Sequence, residues 1–217
     1  DNVYMKTVKG PLKVDCIYRR LDDSFLDPKV FNKESLIGVP GLFKCWLKKN
    51  VGILNAIGTG VADDKVVYSY VNKMITYYLG EQPLLNQVET YLCHEEQQKK
   101  YVLENLSKLV VKPANASGGY GLMIGPKAPK KEIEEVRQKI LKNPREFIAQ
   151  PLEVLSTGPT ITNNNIEPRH VDLRPFVLTG KSNYVTSGGL TRVALRKGST
   201  IVNSSQGGGS KDTLIVG

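Results

Sequence analysis

Leu109-Val-Val-Lys-Pro-Ala-Asn-Ala-Ser-Gly-Gly-Tyr-Gly-Leu-Met-Ile-Gly125 is the stretch on which the reading of this chain turns. An apolar run delivers Lys112 to the edge of a loop of small residues. A second apolar run, Leu122 to Ile124, follows at once. That order predicts a β-hairpin whose tip folds over a ligand. Gly118, Gly119 and Gly121 carry no Cβ, so backbone N–H groups can approach an anion closely. Lys112 adds a point charge beside them. A polyphosphate fits such a loop, and ATP use is the leading expectation. A tight hairpin with a structural lysine is the bland alternative for this segment taken alone. The two familiar phosphate patterns do not apply. No G-x-x-x-x-G-K-[ST] occurs, and Gly119-Tyr-Gly121 lacks the glycine three places on.

Composition sets the bounds. With 217 residues, 40% apolar and 24% charged, the chain can bury a core as one large domain or two small ones. No apolar run approaches the roughly 20 residues of a membrane helix, so no membrane partner is expected. The chain opens on Asp1 with a strand-like segment, without a signal peptide or an initiator methionine, and is expected to be part of a longer protein. Cys16, Cys45 and Cys93 have no metal-ligand spacing and are expected as buried thiols of a cytoplasmic protein. His94 and His170 are too far apart for an obvious metal site. The net charge of +9 admits nucleic acid, but no basic run is interleaved with stacking aromatics, so none is expected. A basic balance equally suits ATP and acidic substrates.

Along the chain, residues 3–8 and 12–18 predict two strands about a turn at Gly10-Pro11. Tyr18 to Pro28 is a charged loop. Gly38-Val-Pro-Gly41 opens a helix running to about Lys49, and Val51 to Leu54 is a short strand. Asp63 or Asp64 caps a helix to about Leu79, with an apolar stripe at Val67, Val71, Met74, Ile75 and Tyr78. Residues 1–80 thus form a small α/β lobe, and residues 81–217 a second part. There, helices are predicted over Glu95–Leu106 and Pro129–Leu141, and strands over Phe147–Gln150, Val171–Leu178, Gly188–Leu195 and Ser199–Asn203. Hairpin tips fall at Asn163-Asn-Asn165 and Lys181-Ser-Asn183. The fold class is α+β: a small α/β lobe plus mostly antiparallel sheets with helices.

In that order the segments resemble an ATP-grasp ligase, a fold that clamps ATP between two antiparallel sheets and joins a carboxylate to an amine or thiol. Val110-Val-Lys-Pro113 is similar to the family's lysine strand, and Ser117-Gly-Gly-Tyr-Gly121 to its phosphate loop. Phe147-Ile-Ala-Gln150 stands where the adenine hinge belongs, with Gln150 as the polar side chain reading the base edge. His170-Val-Asp-Leu-Arg-Pro-Phe-Val177 matches the D-x-R strand of ribosomal-protein glutamate ligases. Leu190-Thr-Arg-Val-Ala194 matches their arginine strand, and Asn203 to Gly209 their N-x-x-x-G-G segment. The resemblance implies Lys112 on the α/β phosphates, and Arg174 and Arg192 on the transferred phosphoryl. It implies Asp172 as a Mg²⁺ ligand, with Asn203 assisting it or binding a substrate carboxylate. Gln206, Gly207 and Gly208 are implied to face substrate.

The family's closing Glu-x-Asn pair does not occur at Val216-Gly217. Instead Tyr18-Arg-Arg-Leu-Asp-Asp23, Gly38-Val-Pro-Gly-Leu42 and Asn55 to Lys65 precede the nucleotide elements. This combination resembles the circularly permuted ATP-grasp type 2 family, in whose order the metal-binding pair lies upstream. Arg19 and Arg20 then become candidates to grip a substrate carboxylate, against the alternative that the charges of this loop tie it together. Asp172 and Arg174, at i and i+2, also admit a structural ion pair. The expected activity is ATP- and Mg²⁺-dependent ligation of a carboxylate to an amine. Without the upstream pair the chain alone is expected to be inactive, with an exposed edge that favours a homo-oligomer. A non-catalytic nucleotide- or partner-binding module with the same fold is the competing expectation.

Overall fold

The structure, a computed structural model, describes residues 2–116, 119–162, 164–203 and 207–213. The chain divides into two compact units, Asp1–Gln87 and Val88–Gly217, where the sequence suggested a break near Gly80.

The first unit opens with an antiparallel hairpin, β1 (Val3–Thr7) and β2 (Gly10–Val14). Its turn lies at Val8-Lys9 rather than at Gly10-Pro11, because Gly10 and Pro11 already pair with Thr7 and Lys6. The Thr7 hydroxyl closes that turn: it donates to the Gly10 carbonyl and accepts from the Lys9 N–H. Strand β3 (Cys16–Tyr18) runs parallel to β4 (Gly52–Leu54), and α1 (Asp23–Leu26) and α2 (Leu42–Leu47) lie between them in the chain. Leu26, Leu42, Val51 and Ile53 make the core. Asp27, fully buried, organises the long connection. Its carboxylate accepts from the N–H groups of Lys29, Gly41 and Phe43, satisfying donors at the start of α2.

Helix α3 (Lys65–Leu79) begins at Asp64, whose carboxylate accepts from the Val66 N–H, and stops at Gly80 in the left-handed conformation. Its apolar stripe does not form a core. Val66 is buried, whereas Val71 and Tyr78 of the anticipated stripe are exposed. Periodicity identifies the helix; it does not supply a partner for the face.

The second unit contains two four-stranded antiparallel sheets. The first has the order β5 (Tyr91–Leu92), β8 (Phe147–Pro151), β6 (Leu109–Pro113), β7 (Met123–Ile124). Helices α4 (Glu96–Asn105) and α5 (Lys130–Lys142) pack on one face of it. Strand alternation explains the division of labour. Leu109, Val111, Met123 and Ala149 join Val102, Leu106, Val136 and Ile140 in the core. Their neighbours Val110, Lys112, Ile124 and Gln150 turn to the opposite face, where a cavity lies.

The second sheet runs β12 (Gly209–Asp212), β11 (Asn183–Val193), β10 (Asn165–Thr179), β9 (Thr157–Thr162). The first part of β10 pairs with β9 and the remainder with β11. Two edge strands of this sheet escaped the sequence reading. β9 carries Pro159, which an edge tolerates, and β12 is Gly-Ser-Lys-Asp with no apolar alternation. The expected strand at Ser199–Asn203 is irregular backbone instead, with the Ile201 N–H turned onto the Ser199 hydroxyl.

Candidate active site

The cavity in the second unit has a volume of about 350 Å³. One wall is the face of β6, β7 and β8 turned away from the core, with Val110, Lys112, Ile124 and Gln150. The other comes from Arg192 on β11 and the segment from Thr200 to Asn203. Two cations, Lys112 and Arg192, therefore line one hollow from two different sheets.

Lys112 sits diagonally across the ladder from Gln150, since Val110 opposes Gln150 and Lys112 opposes Ile148. Its ammonium donates to the Gln150 side-chain oxygen at 2.5 Å. The Gln150 amide nitrogen donates in turn to the Thr90 hydroxyl at 2.8 Å. Gln150 is 7% exposed. Thr90 carries no motif and could not be found from sequence.

Asp172 and Arg192 face each other directly across β10 and β11. The Arg192 guanidinium meets the carboxylate through two contacts, Nε to Oδ1 at 3.0 Å and Nη2 to Oδ2 at 2.6 Å. Its Nη1 donates to the Asn203 side-chain oxygen. Arg174 reaches the same Asp172 oxygen, Nη2 to Oδ2 at 3.1 Å, but from a side chain that is half exposed. The Gly208 N–H donates to the Asn203 carbonyl, and a Cβ at Gly208 would stand 2.2 Å from the Val202 oxygen.

The glycine hairpin is seen in part. Gly119 lines the cavity, and Gly119 and Gly121 hold φ of +80° and +70°, a conformation that favours glycine. Tyr120 is exposed. Ser117, Gly118 and Gln206 lie outside the described residues, and Gly207 is exposed beside them.

Two further residues fix the rim. His170 contacts the Leu155 carbonyl through Nδ1 at 2.7 Å. Because a carbonyl only accepts, that nitrogen carries the proton. Buried Arg169 donates to the carbonyls of Leu195 and Pro168 and pairs with Glu167. It ties β10 to the segment that leads toward Asn203. Sequence reasoning passed over Arg169, although it adjoins the D-x-R strand.

The arginine pair of the first unit separates into two roles. Arg19 is 7% exposed, and its guanidinium donates to the carbonyls of Leu21, Asn55 and Ala56 and to the Thr59 hydroxyl. It also stands 2.8 Å from Asp23 Oδ1. These bonds knit together the two loops that leave the carboxyl ends of β3 and β4, so the Arg19 guanidinium is engaged in holding the loop. Arg20 is exposed. A hollow of about 520 Å³ along α3 in this unit has Lys73 as its one charged lining residue and offers no comparable constellation.

The expected buried thiols divide as well. Cys93 is buried, and burial pushes its thiol up to about 12, while Cys16 is exposed.

The profile of the circularly permuted ATP-grasp type 2 family matches residues 1–194. The chain belongs to that family. An uncharacterized protein of Synechocystis sp. is 56% identical over 213 residues, covering 98% of this chain and 44% of that protein. An uncharacterized protein of Mycobacterium tuberculosis is 52% identical over the whole chain and 39% of its own length. A protein of Frankia casuarinae named "Putative glutamate--cysteine ligase 2-2" is 49% identical over 99% of this chain and 25% of its own. The chain thus spans less than half the length of these curated relatives. The mixed α and β architecture with antiparallel sheets is that of the family.

The family generally uses Mg²⁺ with ATP, and the donor set can be tested for it. Both Asp172 oxygens and the Asn203 side-chain oxygen already accept from guanidinium N–H groups. Among the described residues no three acidic, histidine or cysteine side chains converge. In this arrangement Asp172 and Asn203 serve Arg192, and oxygens already accepting from guanidinium N–H groups do not fit a hard cation. Within the described residues no helix is long and apolar enough to cross a membrane.

Proposed function

We propose that the protein is an ATP-dependent ligase that joins a carboxylate to an amine through an acylphosphate. The observation that carries this reading is that Lys112 and Arg192, from two different sheets, line one cavity. A carboxylate oxygen attacks the γ-phosphorus and ADP leaves. The amine nitrogen then attacks the acyl carbon, phosphate leaves, and the amine gives up a proton. Such a sequence asks the protein mainly for positioning and charge compensation. Lys112 meets the non-transferred phosphates. Arg192 meets the charge of the transferred phosphoryl: its bonds to Asp172 and Asn203 take three of its five N–H donors and leave two for a ligand. The hairpin around Gly119 covers the phosphates and keeps out water. Arg174 adds positive charge beside Asp172, and Arg20 is the candidate for a substrate carboxylate in the first unit.

The substrates follow from the family's chemistry and from the Frankia relative's name. Glutamate as carboxylate, and cysteine among the amines, head the panel to be tried. The intact protein is incubated with ATP, Mg²⁺, single carboxylates and single amines. ADP and phosphate should form in equal amounts only when both partners are present. Hydroxylamine in place of the amine should trap the activated carboxylate as a hydroxamate. ADP binding without turnover for any pair would instead favour a nucleotide-binding module.

A further inference from the structure

Gln150 occupies the hinge position where a side chain reads the adenine edge, yet its amide is committed elsewhere. A lysine ammonium only donates, so the Gln150 oxygen must face Lys112. The amide nitrogen is thereby turned to Thr90 and donates to its hydroxyl. Thr90, having accepted, sends its own proton to the Val88 carbonyl at 3.0 Å. Each of these recorded bonds can run in one direction only, and the chain ends on backbone. Burial of Gln150 at 7% exposure makes each of these bonds costly to leave unmade.

We propose that Gln150, backed by Thr90, is a positioning residue that aims Lys112 at the nucleotide phosphates and does not read the base. This rests on the reading of the cavity as the nucleotide site. Lysine has a long flexible stem whose ordering costs entropy, and a fixed acceptor removes part of that cost before the ligand arrives. A neutral acceptor has a second merit. It orients the ammonium without cancelling its charge, whereas a carboxylate at the same place would hold the geometry and neutralise the field.

The test is titration of the intact protein with two probes, ADP and adenosine, which share the base and differ in the phosphates. Gln150→Met should weaken ADP about tenfold, the size of a lost charge-assisted hydrogen bond, and leave adenosine unchanged. Gln150→Glu, nearly isosteric, should weaken ADP at least as much, again sparing adenosine. Thr90→Val, which touches the ammonium only through Gln150, should weaken ADP about threefold. In a Lys112→Ala background neither Gln150→Met nor Thr90→Val should cost ADP more than about twofold further. Parallel losses of ADP and adenosine, or a further tenfold loss in the Lys112→Ala background, would overturn the proposal and return Gln150 to the base edge. If Lys112→Ala itself leaves ADP affinity unchanged, the reading of the cavity falls together with the proposal.

Discussion

Two residues show how environment, not identity, assigns a role. Arg192 is held by a carboxylate and an amide oxygen, so its planar fork is fixed before any ligand arrives. Lysine keeps the charge but not the fork. Arg192→Lys should therefore lower kcat about a hundredfold, the usual cost of one preorganised donor, while KM for ATP changes little. Steady-state kinetics on the intact protein check this, and an unchanged kcat would make Arg192 a purely structural partner of Asp172. Asp27 is the contrasting case. Burial alone would raise its pKa, but the N–H groups of Lys29, Gly41 and Phe43, with the Lys29 charge, outweigh burial and hold it below the ordinary value. A carboxylate whose folded pKa is depressed stabilises the native state above its unfolded pKa, about 3.9, and loses that contribution as pH falls through the folded value. Asp27→Asn should thus cost about 1–3 kcal/mol at pH 7, and the gap from the native protein should narrow below about pH 4. Urea melts at pH 7 and pH 3 measure it; an equal gap at both would show that ionisation of Asp27 is irrelevant. Lys112 was legible in the sequence because an apolar strand and a glycine loop frame it. Thr90 and Arg169 were not, since their roles depend on partners brought in by folding, and Arg19 looked like Arg20 until burial separated them.

At the scale of elements, what the sequence disclosed followed periodicity, and what it hid followed edges. Strand β6 and helices α4 and α5 were legible because alternating and 3.6-residue patterns are written directly into them. β12 and β9 were hidden because an edge strand pairs through backbone and needs no apolar alternation, while Ser199–Asn203 has strand-like composition but turns on its own serine. Helix α3 shows the same limit from the other side: its stripe was legible, and the exposure of Val71 and Tyr78 was not. Close approach between elements is equally invisible in a string of letters. Gly125, at the end of β7, lies where a Cβ would stand 1.9 Å from the Leu106 carbonyl and 2.6 Å from that of Leu109. The chain passes against the end of α4 and the start of β6 with no room for a methyl group. Gly125→Ala should therefore destabilise by about 1–3 kcal/mol, the cost of overpacking a site that cannot relax. A lower urea midpoint with an unchanged slope would register it. An unaltered midpoint would mean that this backbone yields readily.

Over the whole molecule, charge is the property that composition states outright: 30 basic residues against 21 acidic ones, a net +9. That balance, which first admitted nucleic acid as a partner, bears equally on a polyphosphate. A positive field raises the local concentration of an anion and its capture rate, and salt screens it with a Debye length of about 10 Å at 0.1 M. The contribution of Lys112 and Arg192 inside the cavity is of shorter range and should resist screening better. Two parts of the affinity can then be separated with the same pair of probes. Raising salt from about 0.05 to 0.3 M, through the range where exposed charges become screened, should weaken ADP several-fold and leave adenosine unaffected. In Lys112→Ala the residual ADP binding should retain nearly the same salt slope, because the distant charges that produce the slope are still present. Calorimetric titrations at several ionic strengths provide the measurement. If adenosine weakens in step with ADP, the salt acts on the fold or the base contact and not on phosphate capture. If the slope vanishes with Lys112, one lysine accounts for the electrostatics and the overall excess of basic residues plays no part in binding.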